Sequence, residues 1–250
     1  MRLPLHRCTI LSSIDDGIGR GMKADARIGV LGGTLDPIHV GHIDAARAAH
    51  EALQLDQVLI IPSHVPPHRV EPATSSFHRF AMASLAVNGV EGLAACDIEL
   101  MSPGPSYTAD TLLRLSESLS LTASQIFFIT GADAFAEIET WSRYPAVLDL
   151  ANFVVVSRPG MSLQALRERL PMLRDRMRLP RRTHATGTSI FLVDAPTPDV
   201  SSTDIRRRIA ERRPLSGLVP PGVELHIAQH SLYVQRPHTH SAADHLHGQH

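Results

Sequence analysis

The sequence predicts an α/β protein built on a doubly wound, mainly parallel sheet with helices on both faces. Two observations carry this. Apolar runs such as QVLIIPS (57–63) and ANFVVVSRPG (151–160) have the length of buried strands. Between such runs fall segments of helical spacing and composition, such as HIDAARAAHEAL (42–53). Strands alternating with helices imply parallel pairing through crossover connections.

The elements follow in order. RIGVLGG (27–33) is a short apolar strand ending in glycines, and 42–53 is the first helix. After the strand 57–63, Pro66-Pro67 forces an extended loop. SFHRFAMASLAVNG (76–89) reads as a helix closed by Asn-Gly. ACDIELMS (95–102) alternates like a strand, and SYTADTLLRLSESL (106–119) is a helix starting within Ser106–Thr108. QIFFITGAD (125–133), 151–160 and SIFLVDAP (189–196) are further strands. SSTDIRRRIAERR (201–213) opens with strong capping residues and continues as a helix.

Of the 250 residues 43% are hydrophobic, enough for a packed core. The folded unit is expected to span 27–236. Residues 1–26 read as a poorly ordered extension, and 237–250, with five histidines, as a disordered tail. A net charge of −1 argues against a general nucleic-acid binder. No apolar run approaches the ~20 residues a membrane span needs. His6, Arg7 and Cys8 interrupt any signal-peptide core. Two cysteines, Cys8 and Cys96, build neither a disulfide framework nor a cysteine zinc site, and a reducing cytoplasm fits. Oligomeric state is left open.

Chemistry concentrates in two places. GGTLDPIHVGH (32–42) follows the first strand, at the sheet edge where open parallel sheets bind ligands. Glycines there allow close approach of a phosphate, and the next helix start offers unpaired N–H groups and a positive dipole end. His39 and His42 are then placed to donate to phosphate oxygens; ordinary loop histidines would read the same way in isolation. A zinc ion would want further ligands that this motif lacks, so no metal ligand is assigned. At the far end, Ser201, Ser202 and Thr203 open a helix with Arg206 one turn in, so hydroxyls, N–H groups and a guanidinium converge on an anion-sized spot. A cap followed by a solvated basic face, Arg207 and Arg208, is the plainer reading.

Together, HVGH and SSTDIR resemble the (T/H)xGH and ISSTxxR signatures of the nucleotidyltransferase α/β-phosphodiesterase superfamily. IPSHVPPHR (61–69), SYTADTL (106–112), ITGADAFAEIETW (129–141), VVVSRPG (154–160) and LVPPGVELHIAQHSLY (218–233) extend the resemblance to the nicotinate mononucleotide adenylyltransferase family over about 27–236. Seven segments in order make the match specific. Leu35 stands where that family usually has Phe, and Arg69 where it usually has Lys.

The resemblance implies a Rossmann-like fold. The implied reaction joins ATP and nicotinate mononucleotide into deamido-NAD and pyrophosphate, with Mg²⁺ accompanying the phosphates. By motif match, His39, His42 and Arg206 would be catalytic. Gly32, Gly33, Thr34, Ser202 and Thr203 would join them around ATP. Thr108, Asp133, Trp141, Arg69 and Arg158 would serve the second nucleotide. His64 and His68 flank Pro66-Pro67 in a loop placed to close over the site. His78 and His184 are given no functional role. The alternatives are a pantetheine-phosphate adenylyltransferase, which usually carries Thr at the position of His39, and an inert nucleotide sensor on the same fold.

Overall fold

The computed structural model describes residues 25–67, 71–100, 102, 104–157, 163–180 and 187–234. Among these, seven strands form one sheet in the order β3-β2-β1-β4-β5-β7-β6, every pair parallel. The chain runs β1 (Ile28–Gly33), α1 (Val40–Leu53), β2 (Gln57–Pro62), α2 (Ser76–Val87), β3 (Leu93–Ala95), α3 (Thr108–Leu119) and β4 (Ile126–Gly131). It continues through the single turn α4 (Ala132–Phe135), β5 (Asn152–Val156), α5 (Leu163–Arg169), β6 (Met177–Arg178), β7 (Ile190–Val193), α6 (Ser202–Ala210) and α7 (Pro221–Gln229). No helix among the described residues is long and apolar enough to cross a membrane.

Two cores sandwich the sheet, and the alternation of side chains along each strand assigns residues to them. Phe127 and Ile129 of β4 join Ile43, Ala46 and Ala49 of α1 and Met82 and Ala83 of α2, while Ile126 and Phe128 join Leu112 and Leu115 of α3. In α1 the buried residues Ile43, Ala46, Ala49 and Leu53 recur three and four apart, the stripe a helix needs to seat on a sheet. The helix stops where Gln54 turns left-handed, its N–H bonded to the last carbonyls.

Sequence and structure differ over 95–102. The strand expected there is β3, which ends at Ala95. Cys96 N–H still reaches Ile60 carbonyl at 2.9 Å. Beyond it the neighbouring strand closes on Pro62, which has no N–H for the ladder. The chain turns instead, with Leu100 N–H on Asp97 carbonyl and Ser102 N–H on Glu99 carbonyl. The strand expected to run through 133 ends at Gly131, and the helix expected through 213 ends at Ala210. The extension up to residue 24 and the tail 237–250 lie outside the described residues.

Candidate active site

The sheet order reverses between β1 and β4. Adjacent strands there send their following helices to opposite faces, which leaves a crevice beyond their carboxyl ends. A cavity of about 360 Å³ occupies it. Gly32 and Gly33 line it from the end of β1 with Thr34 just after, Phe128 and Thr130 from β4, and Tyr107 and Thr108 from the start of α3. Trp141 closes one side. Its ring meets Phe128 edge-on at 5.8 Å between centroids, so it packs on the core and faces the cavity at once.

The loop after β1 carries the second half of the site. His39 caps α1 in extended backbone, and His42 lies on its first turn. Their rings stack at 3.7 Å between centroids. Nδ1 of His42 accepts the His39 backbone N–H at 3.2 Å. A neutral ring that accepts at Nδ1 carries its proton on Nε2, so His42 presents a donor there. His39 is 1% exposed, and His42 is the accessible member of the pair.

Helix α6 clamps this loop. The Ser201 hydroxyl accepts Asp204 N–H at 3.1 Å and starts the helix. Ser202 Oγ donates to Pro37 carbonyl at 2.8 Å, and Arg206 donates to Asp36 carbonyl at 2.6 Å and to Thr203 Oγ1 at 3.3 Å. Arg207 and Arg208 turn away to Asp204, and these bonds hold that carboxyl below its usual range. Arg206 is therefore the arginine of the run that faces the loop.

The structure thus brings His39, His42, Ser202, Thr203 and Arg206 to the loop whose beginning, Gly32–Thr34, lines the cavity with Thr108 and Trp141. Asp133 is exposed on α4, outside the cavity lining that its neighbour Ala134 enters. The cap of α4 is Gly131. Arg69, Arg158, His68 and His184 lie outside the described residues.

Several supporting residues escaped the sequence reading. Arg79 is 1% exposed and donates to the carbonyls of Thr34, Ser63, His64 and Thr74. Burial lowers its pKa, with Asp36 opposing, but an arginine remains a cation. The signal was present, because Arg79 shares the buried helix stripe of Ser76, Met82 and Ala83. Asp36 is buried and accepts the Tyr233 hydroxyl and Ala73 N–H, both at 2.7 Å. Burial and the facing carboxylate push the Tyr233 phenol far up. Glu99, buried beside the cavity, accepts Thr111 Oγ1 at 2.5 Å. Burial raises its pKa against the pull of the Ser106 and Thr111 hydroxyls and Arg114.

This arrangement has relatives. The family model for cytidylyltransferase-like proteins matches residues 30–208. A Roseiflexus sp. (strain RS-1) protein named "Probable nicotinate-nucleotide adenylyltransferase" is 40% identical over 213 residues, 84% of this chain and 99% of that protein. One of the same name from Thermoanaerobacter sp. (strain X514) is 37% identical over 213 residues, 85% of this chain and 96% of that protein. Among solved structures, Plasmodium falciparum nicotinic acid mononucleotide adenylyltransferase complexed with NaAD shares the fold. Its TM-score is 0.64 at 16% identity, over 83% of this chain and 97% of that one. Matched in sequence along nearly the whole length of these relatives, the chain belongs to the nicotinate-nucleotide adenylyltransferase family of cytidylyltransferase-like proteins.

Proposed function

We propose that the chain transfers the adenylyl group of ATP to nicotinate mononucleotide, forming deamido-NAD and pyrophosphate, as the names of its relatives indicate. The observation that best supports this reading is that one loop serves two sub-sites. At its entry, the last two residues of β1, Gly32 and Gly33, and Thr34 line the cavity with Thr108 and Trp141. Its last residues lead into the His39–His42 pair clamped by α6. A donor-rich phosphate site and an aromatic-walled cavity then meet at a single turn, as an in-line transfer between two nucleotides requires.

The acceptor phosphate is already anionic at neutral pH, so the reaction needs no general base. An oxygen of that phosphate attacks the α-phosphorus of ATP in line, and the bond to pyrophosphate breaks as the new one forms. Nε2–H of His42 donates to the phosphate as charge builds, and the stacked His39 ring orients it. Arg206 and Ser202 hold the loop by its carbonyls, Thr203 steadies Arg206, and the guanidinium adds positive potential beside the triphosphate. In the cavity, the Trp141 face stacks on the pyridinium ring, and the start of α3 at Thr108 receives its carboxylate.

Mg²⁺ suits this donor set as a companion of ATP. Both carboxylate oxygens of Asp36 are taken by Tyr233 and Ala73, so the loop offers no free carboxylate, and the ion would be held by phosphate oxygens and water. When bound, it neutralises phosphate charge. A cytoplasmic setting belongs to the same proposal, and a chain with only two cysteines suits a reducing compartment.

Incubating the full chain with ATP, Mg²⁺ and nicotinate mononucleotide tests the proposal. Equimolar deamido-NAD and pyrophosphate are expected. Absence of product, or product only with phosphopantetheine as acceptor, overturns it.

A further inference from the structure

Away from the cavity, α2 and α7 bring three imidazoles together. His78 sits in the first turn of α2. His226 lies near the end of α7 and His230 caps it, four residues on and so one turn further along the same face. Nδ1 of His78 stands 3.1 Å from Nε2 of His226. Ring centroids are 5.2 Å apart for His78–His226, 4.9 Å for His78–His230 and 4.4 Å for His226–His230. One ring nitrogen from each of the three lies within 4.8 Å of the other two. His78 and His226 are half-buried and His230 is exposed, which leaves the cluster open to solvent on one side.

The chemistry of this set is specific. Three imidazoles without a carboxylate or a thiolate suit Zn²⁺, Cu²⁺, Ni²⁺ or Co²⁺ and disfavour Mg²⁺ or Ca²⁺. Nitrogens ligating a tetrahedral ion at ~2.0–2.1 Å stand roughly 3.3–3.4 Å from one another. The His78–His226 separation is already close to that, and the exposed His230 ring is free to swing in. Three protein ligands leave the fourth position to water.

We propose that His78, His226 and His230 form a site for one divalent transition-metal ion of the zinc class, which clamps α2 to α7. The clamp has a physical route to the loop after β1. Arg79, next to His78, donates to Thr34 carbonyl, and Tyr233, just beyond His230, donates to Asp36. An ion bridging the two helices braces both supports of that loop. This site stands independently of the adenylyl-transfer reading.

The test uses the full-length chain with its five tail histidines replaced (His238→Ala, His240→Ala, His245→Ala, His247→Ala and His250→Ala), so that the tail does not compete. Titration with Co²⁺ is expected to give one equivalent of bound ion with the intense visible bands of a four-coordinate site. Excess Zn²⁺ is expected to raise the melting temperature. Adding His226→Ala or His230→Ala should weaken Co²⁺ binding by ~100-fold or more and abolish the Zn²⁺-dependent rise. His230 is exposed, so its variant keeps the fold and reads the ligand role alone. No bound Co²⁺ in the tail-substituted parent, or binding and a Zn²⁺ effect that survive His230→Ala, would overturn the proposal.

Discussion

Tyr233 donates its phenol to the Asp36 carboxylate at 2.7 Å, joining residues 197 positions apart in the chain. The bond ties the segment after α7 to the turn between the glycines and the histidines of the candidate site. Tyr233→Phe leaves one oxygen of a buried carboxylate without that donor, which typically costs ~1–3 kcal/mol. Denaturant unfolding is expected to show this loss, with a rise in KM for ATP. An unchanged unfolding midpoint would mean that water replaces the phenol at no cost.

Arg79 supports the same loop through the Thr34 carbonyl. Its planar guanidinium reaches four carbonyls in a geometry that an ammonium group does not reproduce. Arg79→Lys is therefore expected to destabilise the chain by ~2 kcal/mol or more, even though the charge is kept. A melting temperature equal to that of the parent would remove Arg79 as the support of Thr34.

His42 is the most accessible donor of the stacked pair. Replacing it with Ala removes a group argued to act as charge develops, a loss of ~10²–10³ in kcat. Thermal unfolding should move little, because the fully buried partner is His39. Near-parental kcat in a folded His42→Ala protein would show that the donor lies elsewhere.

Glu99 gives a pH signature. Burial raises its folded pKa above the ordinary carboxylate value, so between the unfolded and folded values the folded chain binds more of this proton than the unfolded chain does. Stability from this group is full at acid pH and falls as pH rises through the shifted value. Glu99→Gln keeps an acceptor for Thr111 and has no charge to bury. The variant is expected to melt higher than the parent at pH 8, with the gain shrinking toward pH 4. A gain that grows on acidification would contradict the shift.

The sequence made the scaffold legible because burial on both faces of a parallel sheet leaves uninterrupted apolar runs such as Ile126–Ile129. It made the His39–His42 spacing and the Ser201 cap legible because both are local. It was blind to contacts closed by the fold. Nothing near Tyr233 announces Asp36, and nothing near His78 announces His226, since those pairings depend on how α2 and α7 pack. The early end of β3 was not legible, because it is set by Pro62 on a neighbouring strand. Arg79 could have been read from its place on a buried helical stripe, where a local pattern carries a long-range message.

In the proposed reaction, one loop joins a phosphate site to a cavity whose wall at Thr108, the start of α3, receives a carboxylate. Steady-state pyrophosphate release with nicotinate mononucleotide and with nicotinamide mononucleotide tests it most directly. The two acceptors differ only in the group that meets that wall. A carboxylate satisfies N–H and hydroxyl donors, whereas a carboxamide turns its own NH₂ on at least one of them. A kcat/KM ratio of ~10² or more in favour of the acid is expected, narrowed by Thr108→Ala. Equal kcat/KM for the two acceptors would contradict it, even with adenylyl transfer itself observed.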